Sequence, residues 1–316
     1  MNKNDSAPFE EFFLTPEDFG AAFGDILSTE VKTRIARHHF KYARLTLDER
    51  DAWLLKIVQF LTADSVVFSG EHRIGQWETG WGENLAAFKK APSWEALTPR
   101  YFGKYPVVRW RQDFIKPLSP DFEQHSLSVV QYWIFDKFLK GVSSVYEFGC
   151  GTGHNLRRIR EVNPAARLYG LDWARSSAEL VNGIASSGLD ANVEGKVFNV
   201  FTPDMSFKLA PKSGVVTVAA LEQVGAHFKE FLDYLIENKP SVCVHIEPVG
   251  ELLDEENLLD FLSIRYFKKR NYLSGFLDAL RELEQQGKVN ILEARRSYIG
   301  SLFIDGYSVV VWSPVL

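Results

Sequence analysis

The chain has 316 residues, enough for one large domain or for one domain with a substantial extension. Its net charge of −5 argues against nucleic-acid binding, which favours a basic face, and it contains no apolar stretch of the roughly 18 residues that a membrane span needs. Residues 1–11 hold no apolar leader core, and two cysteines, Cys150 and Cys243, do not suggest a disulfide framework, so we expect a soluble, cytoplasmic protein.

The first 120 residues show helical patterns followed by an aromatic stretch. From residue 9 to about residue 63, apolar residues recur at helical spacing, and Thr15-Pro16-Glu17 combines a capping residue with a proline in the first turn. Residues 70–120 hold many aromatic residues, glycines and prolines without a clear period, so we predict a long irregular segment. Such a segment either covers a binding site or packs the extension onto the main domain as an aromatic mini-core.

Strands and helices alternate after residue 121. A helix predicted at 121–140 ends at Gly141. Apolar strands are predicted at 144–148, 167–172, 196–201, 214–220 and 241–247, and helices at 153–162, 175–186, 226–237 and 256–286. This alternation is typical of a parallel sheet with helices on both faces. The last two strands, 289–299 and 307–312, have no helix between them and should pair antiparallel.

A glycine-rich turn follows the first of these strands. Its three glycines alternate with other residues, at Gly149, Gly151 and Gly153. Backbone without side chains can approach a ligand closely and adopt φ values that other residues resist. Glu147 precedes the turn by two residues, and Asp172 ends the next strand. A glycine turn with an acid at the next strand end suits an adenosine-containing cofactor, whose ribose hydroxyls the acid can bind.

The charge pattern distinguishes between adenosine cofactors. A dinucleotide site favours G-x-G-x-x-G and places a pyrophosphate on the helix N-terminus. This chain has G-x-G-x-G, and Glu147 inside the preceding strand would repel a pyrophosphate. S-adenosylmethionine has an ammonium group, a sulfonium group and no phosphate, so the acid favours it.

At these residues the chain resembles the class I S-adenosylmethionine-dependent methyltransferases, whose first motif is an acid followed by h-G-x-G-x-G. The resemblance covers residues 121–316. It implies an α/β, Rossmann-like domain with five parallel strands plus an antiparallel terminal pair, and S-adenosyl-L-methionine as the cofactor. It does not cover residues 1–120, which we predict to form a mainly helical, aromatic-rich extension that acts as a lid and acceptor-binding region.

The resemblance also implies roles for individual residues. Asp172 matches the family's ribose-binding acid, and Glu147 with the glycine turn would hold the methionine end of the cofactor. Trp173 could pack on the adenine or serve ordinary interface packing, and Asn199 stands where the family often places an acid or an amide. The predicted cofactor-binding residues are Glu147, Gly149, Cys150, Gly151, Thr152, Gly153, His154, Asp172, Trp173, Asn199 and Leu221.

Polar residues after the fourth and fifth strands are the candidates for catalysis: His227, His245, Glu247 and Glu222. Leu221 to His227 resembles a stretch that lies beside the methyl group in small-molecule methyltransferases, and the chain lacks the Asn/Asp-Pro-Pro-Tyr/Phe motif of enzymes that methylate amide or base nitrogens. A histidine suits removal of a hydroxyl proton. The alternative for His245 and Glu247 is a structural hydrogen bond. No cluster of metal ligands is visible, so we predict no metal.

The sequence therefore predicts a methyltransferase acting on a small polar molecule, such as a sugar or another metabolite, with O-methylation favoured over N-methylation. Two alternatives stay open: a nicotinamide-dependent oxidoreductase and a non-catalytic cofactor-binding partner protein. Arg109-Trp110-Arg111 either clamps a phosphate or carboxylate or is solvated surface charge. The sequence does not decide whether the chain forms a homo-oligomer.

Overall fold

A computed structural model describes residues 10–64 and 66–315 of the chain. Most of the segment in which we expected no leader, residues 1–9, lies outside the described residues. The strands are β1 (Glu11–Phe13), β2 (Lys41–Arg44), β3 (Val108–Trp110), β4 (Asp113–Pro117), β5 (Ser144–Phe148), β6 (Arg167–Asp172), β7 (Val193–Val197), β8 (Ser213–Val218), β9 (Val242–Glu247), β10 (Val289–Arg295), β11 (Ile299–Gly300) and β12 (Ser308–Pro314).

The α-helices are α1 (Pro16–Phe23), α2 (Thr29–Ile35), α3 (Leu47–Thr62), α4 (Ile74–Lys90), α5 (Phe122–Phe138), α6 (Leu156–Val162), α7 (Arg175–Ser186), α8 (Lys229–Asn238), α9 (Leu258–Arg270) and α10 (Phe276–Gln285). Thr15 caps α1: its hydroxyl accepts from the Asp18 N–H, while the Asp18 carboxylate accepts from the Thr15 N–H. In the described part of the chain, no helix is both long and apolar enough to cross a membrane.

The main sheet contains seven strands within the described residues, in the order β10-β12-β9-β8-β5-β6-β7. Strands β5 to β9 run parallel, and β12 is antiparallel to both of its neighbours. This confirms the predicted five parallel strands with an antiparallel terminal pair. The strand order reverses at β5, which lies between β6 and β8, and open α/β sheets bind ligands beyond the carboxyl ends of their strands at such a point.

Helices cover both faces of this sheet because successive strand residues point to opposite sides. Val145 of β5 packs in one buried cluster with Leu156 of α6, whereas its neighbour Tyr146 packs in another with Phe231 of α8. Burying each of these large side chains contributes roughly 1.5–3 kcal/mol relative to exposure. The near-continuous apolar strands seen in the sequence follow from this two-sided burial.

A smaller antiparallel sheet, ordered β1-β2-β4-β3-β11, combines four strands of the extension with β11. Its strands β1 and β2 fall within residues 9–63, so the expectation that this whole segment is helical is wrong. The short strand β11 follows β10 in the chain and places Ile299 opposite Trp110 of β3. The C-terminal part of the chain therefore completes a sheet of the N-terminal part.

Residues 70–120 are not the irregular segment that the sequence predicted. They contain the 17-residue helix α4 and the antiparallel pair of β3 and β4. Apolar residues do recur at helical spacing along α4, at Trp77, Trp81, Leu85 and Phe88. The low helix propensity of its glycines, Gly75, Gly80 and Gly82, obscured the pattern. Packing overrides that propensity, because Phe88 is buried against Gly183 of α7.

Two further boundaries differ from the prediction. The single helical region at 256–286 is divided into α9 and α10, because Asn271 adopts a left-handed φ of 55° that ends α9. The third parallel strand, β7, ends at Val197, before residue 201. Residues 198–201 instead form the loop beyond that strand.

Arg109, which belongs to the predicted basic patch, is buried and has a structural role. It is only 2% exposed, and its guanidinium group donates to the backbone oxygens of Leu259, Leu302 and Phe303. These bonds join β3 to α9 and to the loop that precedes β12. Arg109 is thus neither an anion clamp nor a solvated surface charge.

Candidate functional site

A pocket lies beyond the carboxyl ends of β5, β6 and β8, next to α4. It encloses about 550 Å³, including its open mouth. Its walls are formed by Trp77, Trp81, Phe148, Gly149, Asp172, Trp173, Phe198, Val200, Phe201, Ala219, Ala220, Leu221, Gln223 and Val224. Most of these side chains are apolar, so the pocket suits a largely apolar, ring-containing ligand that a few polar groups orient.

The glycine turn brings bare backbone to this pocket. The Gly149 N–H donates to the Leu171 oxygen at 2.7 Å, which bends the chain sharply after β5. Gly149 has a φ of 70°, and a Cβ atom there would lie 2.4 Å from the Ala220 Cβ. Gly151 has a φ of 54°, and a Cβ atom there would lie 3.0 Å from the Trp81 ring. Both positions require glycine, because any side chain would meet these neighbours and strain the backbone.

Asp172 is buried at the end of β6, in the pocket wall. Its Oδ2 accepts from the Gly151 N–H and its Oδ1 from the Ala174 N–H, both at 2.9 Å. Burial raises the pKa of Asp172 to about 6, and the hydrogen bonds from these two N–H groups oppose that shift. Each carboxylate oxygen carries two lone pairs, so Asp172 keeps acceptor capacity for two hydroxyl groups of a ligand.

Glu147 is a second buried carboxylate beside the turn, with 0% of its surface exposed. Its Oε1 accepts from the Asn155 side-chain amide at 2.7 Å, while its Oε2 has no hydrogen-bond partner among the described residues. Burial, with a smaller contribution from Asp172, raises the pKa of Glu147 to about 8. Buried polar atoms without partners are rare, so this oxygen indicates a polar or cationic ligand group.

Stacked aromatic pairs form part of the walls. Trp173 stacks on Phe201 with ring centroids 5.6 Å apart and an interplanar angle of 12°. Trp77 stacks on Trp81 at 5.3 Å, and the Trp77 indole N–H has no partner in the described part of the chain. Flat, apolar surfaces of this kind favour a planar ring as ligand.

Three of the predicted cofactor-binding residues shape the turn without lining the pocket. The Cys150 thiol is buried and free, and burial raises its pKa well above the usual value. The Thr152 hydroxyl donates to the Leu97 oxygen of the extension. The His154 ring is buried against the Gln124 amide, and burial lowers its pKa to about 3. Thr152 and His154 thus anchor the turn to its surroundings.

Of the two remaining predicted cofactor contacts in loops, Leu221 lines the pocket and Asn199 does not. Leu221 lies in the pocket wall, as the sequence predicts for a cofactor contact. The Asn199 amide donates to Glu71 at 2.8 Å and accepts from the Phe201 N–H at 2.9 Å. It therefore fixes the loop after β7 to the extension, and the expected contact of Asn199 with adenine gains no support from this geometry.

The two histidines expected to act as bases do not line the pocket. His245 is fully buried on β9; its Nδ1 bonds with the Thr217 hydroxyl and its Nε2 accepts from the Trp312 indole, both at 2.9 Å. Burial lowers the pKa of His245 to about 3. His227 is exposed on the protein surface. The structure does not support the expectation that either histidine removes a proton from the acceptor.

The two glutamates do come together near the pocket. Glu247 is buried at the end of β9, and its Oε1 accepts from the N–H groups of Ala220 and Leu221. Glu222 accepts from the amide of Gln223, a pocket residue, at 2.9 Å. Burial and then the charge of Glu247 raise the pKa of Glu222 to about 8. His245 and Glu247 do not bond to each other, so the alternative of a structural hydrogen bond between them is wrong.

Sequence reasoning missed several pocket residues. Trp77 and Trp81 lie one helical turn apart, but α4 itself was not predicted. Gln223 is a polar candidate near the cofactor in the sequence, together with Glu222 and His227, but it was not among the predicted site residues. In the described residues, no group of three or more His, Cys, Asp or Glu could hold a metal ion.

Comparisons with known proteins agree with this architecture. No family model matches the chain, and no curated protein sequence matches it. Among solved structures, the [4+2]-cyclase SpnF has a TM-score of 0.52 at 12% identity, over 78% of this chain and 97% of its own. The O-methyltransferase NcsB1 from neocarzinostatin biosynthesis has a TM-score of 0.44 at 19% identity, over 76% and 70%. The pyocyanin biosynthetic protein PhzM has a TM-score of 0.43 at 16% identity, and this chain spans 60% of its length.

The chain has the Rossmann-like fold of the class I methyltransferases. The strand order and the antiparallel position of β12 define it, and the match that spans nearly all of SpnF agrees. Because identity is only 12%, that match establishes a common fold and no common reaction.

Proposed function

We propose that this protein is an S-adenosylmethionine-dependent methyltransferase that acts on a small polar molecule. The observation that carries the proposal is the buried Glu147 Oε2, which has no partner among the described residues and lies beside the glycine turn. The ammonium group of S-adenosylmethionine would pair with this oxygen. The pyrophosphate of a dinucleotide would be repelled by it.

Other pocket residues suit the rest of that cofactor. Asp172 would accept hydrogen bonds from the ribose hydroxyls with its two spare positions. The rings of Trp173 and Phe201 would contact the adenine, and the backbone of Gly149 would lie under the methionine portion. S-adenosylmethionine supplies a methyl group on a sulfonium, and its leaving thioether needs no acid.

The extension would form the lid of the site. Trp81 of α4 packs against Gly151, and the Glu78 carboxylate accepts from the N–H groups of Arg175 and Ser176, at 2.7 and 3.0 Å. These contacts attach α4 to the start of α7, shortly after strand β6, which ends at Asp172. We propose that residues 1–120 exclude water from the reacting centre and build much of the acceptor pocket, while residues 121–316 hold the cofactor.

Proton removal from the acceptor is assigned to Glu222 in this proposal. Burial and the charge of Glu247 raise the pKa of Glu222 to about 8, so its ionised form is a stronger base than an ordinary carboxylate and accepts a proton near that pH. Glu222 lies next to the pocket residue Gln223, whereas His227 is exposed and His245 is enclosed by β8 and β12. The predicted preference for O-methylation rested on a histidine base, and it loses that support here.

Calorimetric titration with S-adenosylhomocysteine and with NADH tests which cofactor the protein binds. We expect the first ligand to bind and NADH to fail. Asp172→Ala should weaken S-adenosylhomocysteine binding at least tenfold, because each hydrogen bond to a charged group contributes about 1.5–3 kcal/mol. Asp51→Ala, an exposed position on α3, should leave affinity unchanged. Binding of NADH, or equal affinity in wild type and Asp172→Ala, would contradict the proposal.

Turnover needs its own assay because the fold also occurs in a [4+2]-cyclase. Formation of S-adenosylhomocysteine from S-adenosylmethionine should depend on an added acceptor from a panel of alcohols, sugars and amines. Cofactor binding without turnover on any acceptor would instead favour a non-catalytic binding protein.

A further inference from the structure

A chain of side-chain amides leads from α5 to Glu147. The Gln131 amide donates to Asn155 Oδ1 at 2.7 Å, and the Asn155 amide donates to Glu147 Oε1 at 2.7 Å. Gln131 is only 1% exposed, and Glu147 is not exposed at all. Gln131 lies on α5, Asn155 precedes α6 and Glu147 lies on β5. The chain therefore joins two helices to the strand that ends at the glycine turn.

The donor and acceptor roles along this chain have one direction. An ionised carboxylate can only accept, so Asn155 must present its NH2 group to Glu147. The Asn155 oxygen then accepts from Gln131, which donates its own NH2 group. Both amides therefore place their positive ends toward Glu147. The hydrogen bond from Asn155 accordingly opposes the burial that raises the pKa of Glu147 to about 8.

The Asn155 side chain does not perform the task that its position favours. Asn155 caps the N-terminus of α6, where an asparagine side chain ordinarily accepts from a backbone N–H of the first turn. Its side chain makes no such capping bond. Asn257, which caps α9, shows the ordinary arrangement, because its Oδ1 accepts from the N–H groups of Leu259 and Asp260. The Asn155 side chain thus bonds to Glu147 and Gln131 instead of to its own helix.

Gln131 is a buried polar residue in an apolar stretch of α5. The residues around it in the chain are buried as well: Val129, Val130, Tyr132, Trp133, Ile134 and Phe135. Burying an amide is costly unless it forms hydrogen bonds, and an apolar side chain would avoid that cost. The bond to Asn155 offsets the cost and fixes the orientation of the Asn155 amide. The presence of glutamine at this position is explained by its contact with Asn155.

We propose that Asn155 and Gln131 are positioning residues for the cofactor, which hold Glu147 by its Oε1 and leave its Oε2 for the ammonium group of S-adenosylmethionine. This inference rests on the function proposed above and adds two residues to its cofactor site. Oε2 has no partner among the described residues. Because both oxygens belong to one planar group, a hydrogen bond to Oε1 also restricts the position of Oε2. The amide chain thereby reduces the ordering that Glu147 must undergo when the ammonium group binds.

Calorimetry with two ligands separates this role from a general structural one. S-adenosylhomocysteine carries the ammonium group, whereas methylthioadenosine keeps the adenosine and a thioether but has neither an amino nor a carboxyl group. Asn155→Ala should weaken S-adenosylhomocysteine binding about tenfold, because Glu147 loses a charge-assisted hydrogen bond, and should leave the affinity for methylthioadenosine unchanged.

Two further variants accompany this measurement. Gln131→Met has a similar length but no donor, so it should weaken S-adenosylhomocysteine binding about threefold and leave methylthioadenosine binding unchanged. Asn257→Ala removes another helix-capping asparagine and is the matched control. It should change neither affinity, because the side chain of Asn257 bonds only within α9.

A double-mutant cycle tests whether the amides act through Glu147. In the Glu147→Gln background, no charge remains to pair with the ammonium group. Adding Asn155→Ala to that background should therefore change the affinity for S-adenosylhomocysteine by less than about twofold. A loss as large as in the wild-type background would show that Asn155 acts independently of Glu147.

Three results would overturn the inference. Asn155→Ala could bind S-adenosylhomocysteine as tightly as wild type, it could lose affinity for both ligands alike, or its loss could persist in the Glu147→Gln background. Gln131→Met decides by the same comparisons if Asn155→Ala does not fold, and the cycle decides if methylthioadenosine binds too weakly to measure. Failure of the wild type to bind S-adenosylhomocysteine would instead contradict the proposed function.

Discussion

Replacing Glu147 with glutamine should stabilise the protein while weakening cofactor binding. The carboxyl group has an ordinary pKa of 4.5 in the unfolded chain, and burial raises it to about 8 in the folded chain. Between these values the unfolded chain has released a proton that the folded chain retains. Wild-type stability therefore falls as pH rises, by about 1.4 kcal/mol per pH unit from this group.

The magnitude at neutral pH follows from this difference. At pH 7, about 2.5 units above the unfolded pKa, the buried carboxyl group costs roughly 3 kcal/mol. Glu147→Gln removes the ionisable group and keeps an oxygen that can accept from Asn155. We expect its free energy of unfolding to exceed that of wild type by up to about 3 kcal/mol at pH 7, with no difference near the unfolded pKa.

Urea unfolding of both proteins over a series of pH values measures this effect. Glu230→Gln, exposed on α8, is the control and should run parallel to wild type. A difference between Glu147→Gln and wild type that stays constant with pH would refute the reasoning about buried charge. The same variant should bind S-adenosylhomocysteine about tenfold to a hundredfold more weakly, and unchanged affinity would remove Glu147 as the ammonium partner.

Three other substitutions test the surroundings of the site. Glu78→Ala removes two hydrogen bonds at the start of α7 and should lower the free energy of unfolding by about 1–2 kcal/mol in urea titrations. An unchanged free energy of unfolding would contradict the conclusion that Glu78 attaches α4 to α7. Gly149→Ala should abolish S-adenosylhomocysteine binding and lower the free energy of unfolding by about 2 kcal/mol or more, because the new Cβ meets Ala220 and the residue has a left-handed φ. A variant that still binds the ligand would contradict the close approach of the Gly149 backbone to the cofactor. When an acceptor has been identified, His227→Ala should leave kcat for that acceptor unchanged, because His227 is exposed. A large fall in kcat would show that His227 takes part in catalysis.

The main sheet could be predicted because the sequence signals that define it lie close together in the chain. Apolar strands, the glycine turn and the acids at strand ends lie within a few residues of one another, so their positions follow from periodicity alone. The extension could not be predicted in this way. Helix α4 contains glycines that weaken its own propensity, and its packing partner α7 lies almost a hundred residues further along the chain.

The same contrast between local sequence signals and contacts of distant residues explains which site residues could be predicted. Asp172 lies in the pocket wall because it ends strand β6, and Glu147 is buried beside the glycine turn because it stands near the end of β5. Alternation along β9 places His245 and Glu247 on one face, but it does not reveal that Trp312 of β12 covers His245.

The pairing of β3 with β11 sets an order of events during synthesis. Its partners, Trp110 and Ile299, lie far apart in the sequence, so the smaller sheet cannot close until β11 has left the ribosome. Until then, the β3 edge and the guanidinium group of Arg109 lack their native partners. Deleting β11 should therefore disturb β3, and a cofactor domain expressed without the extension would present an unpaired β11 to solvent and to other chains.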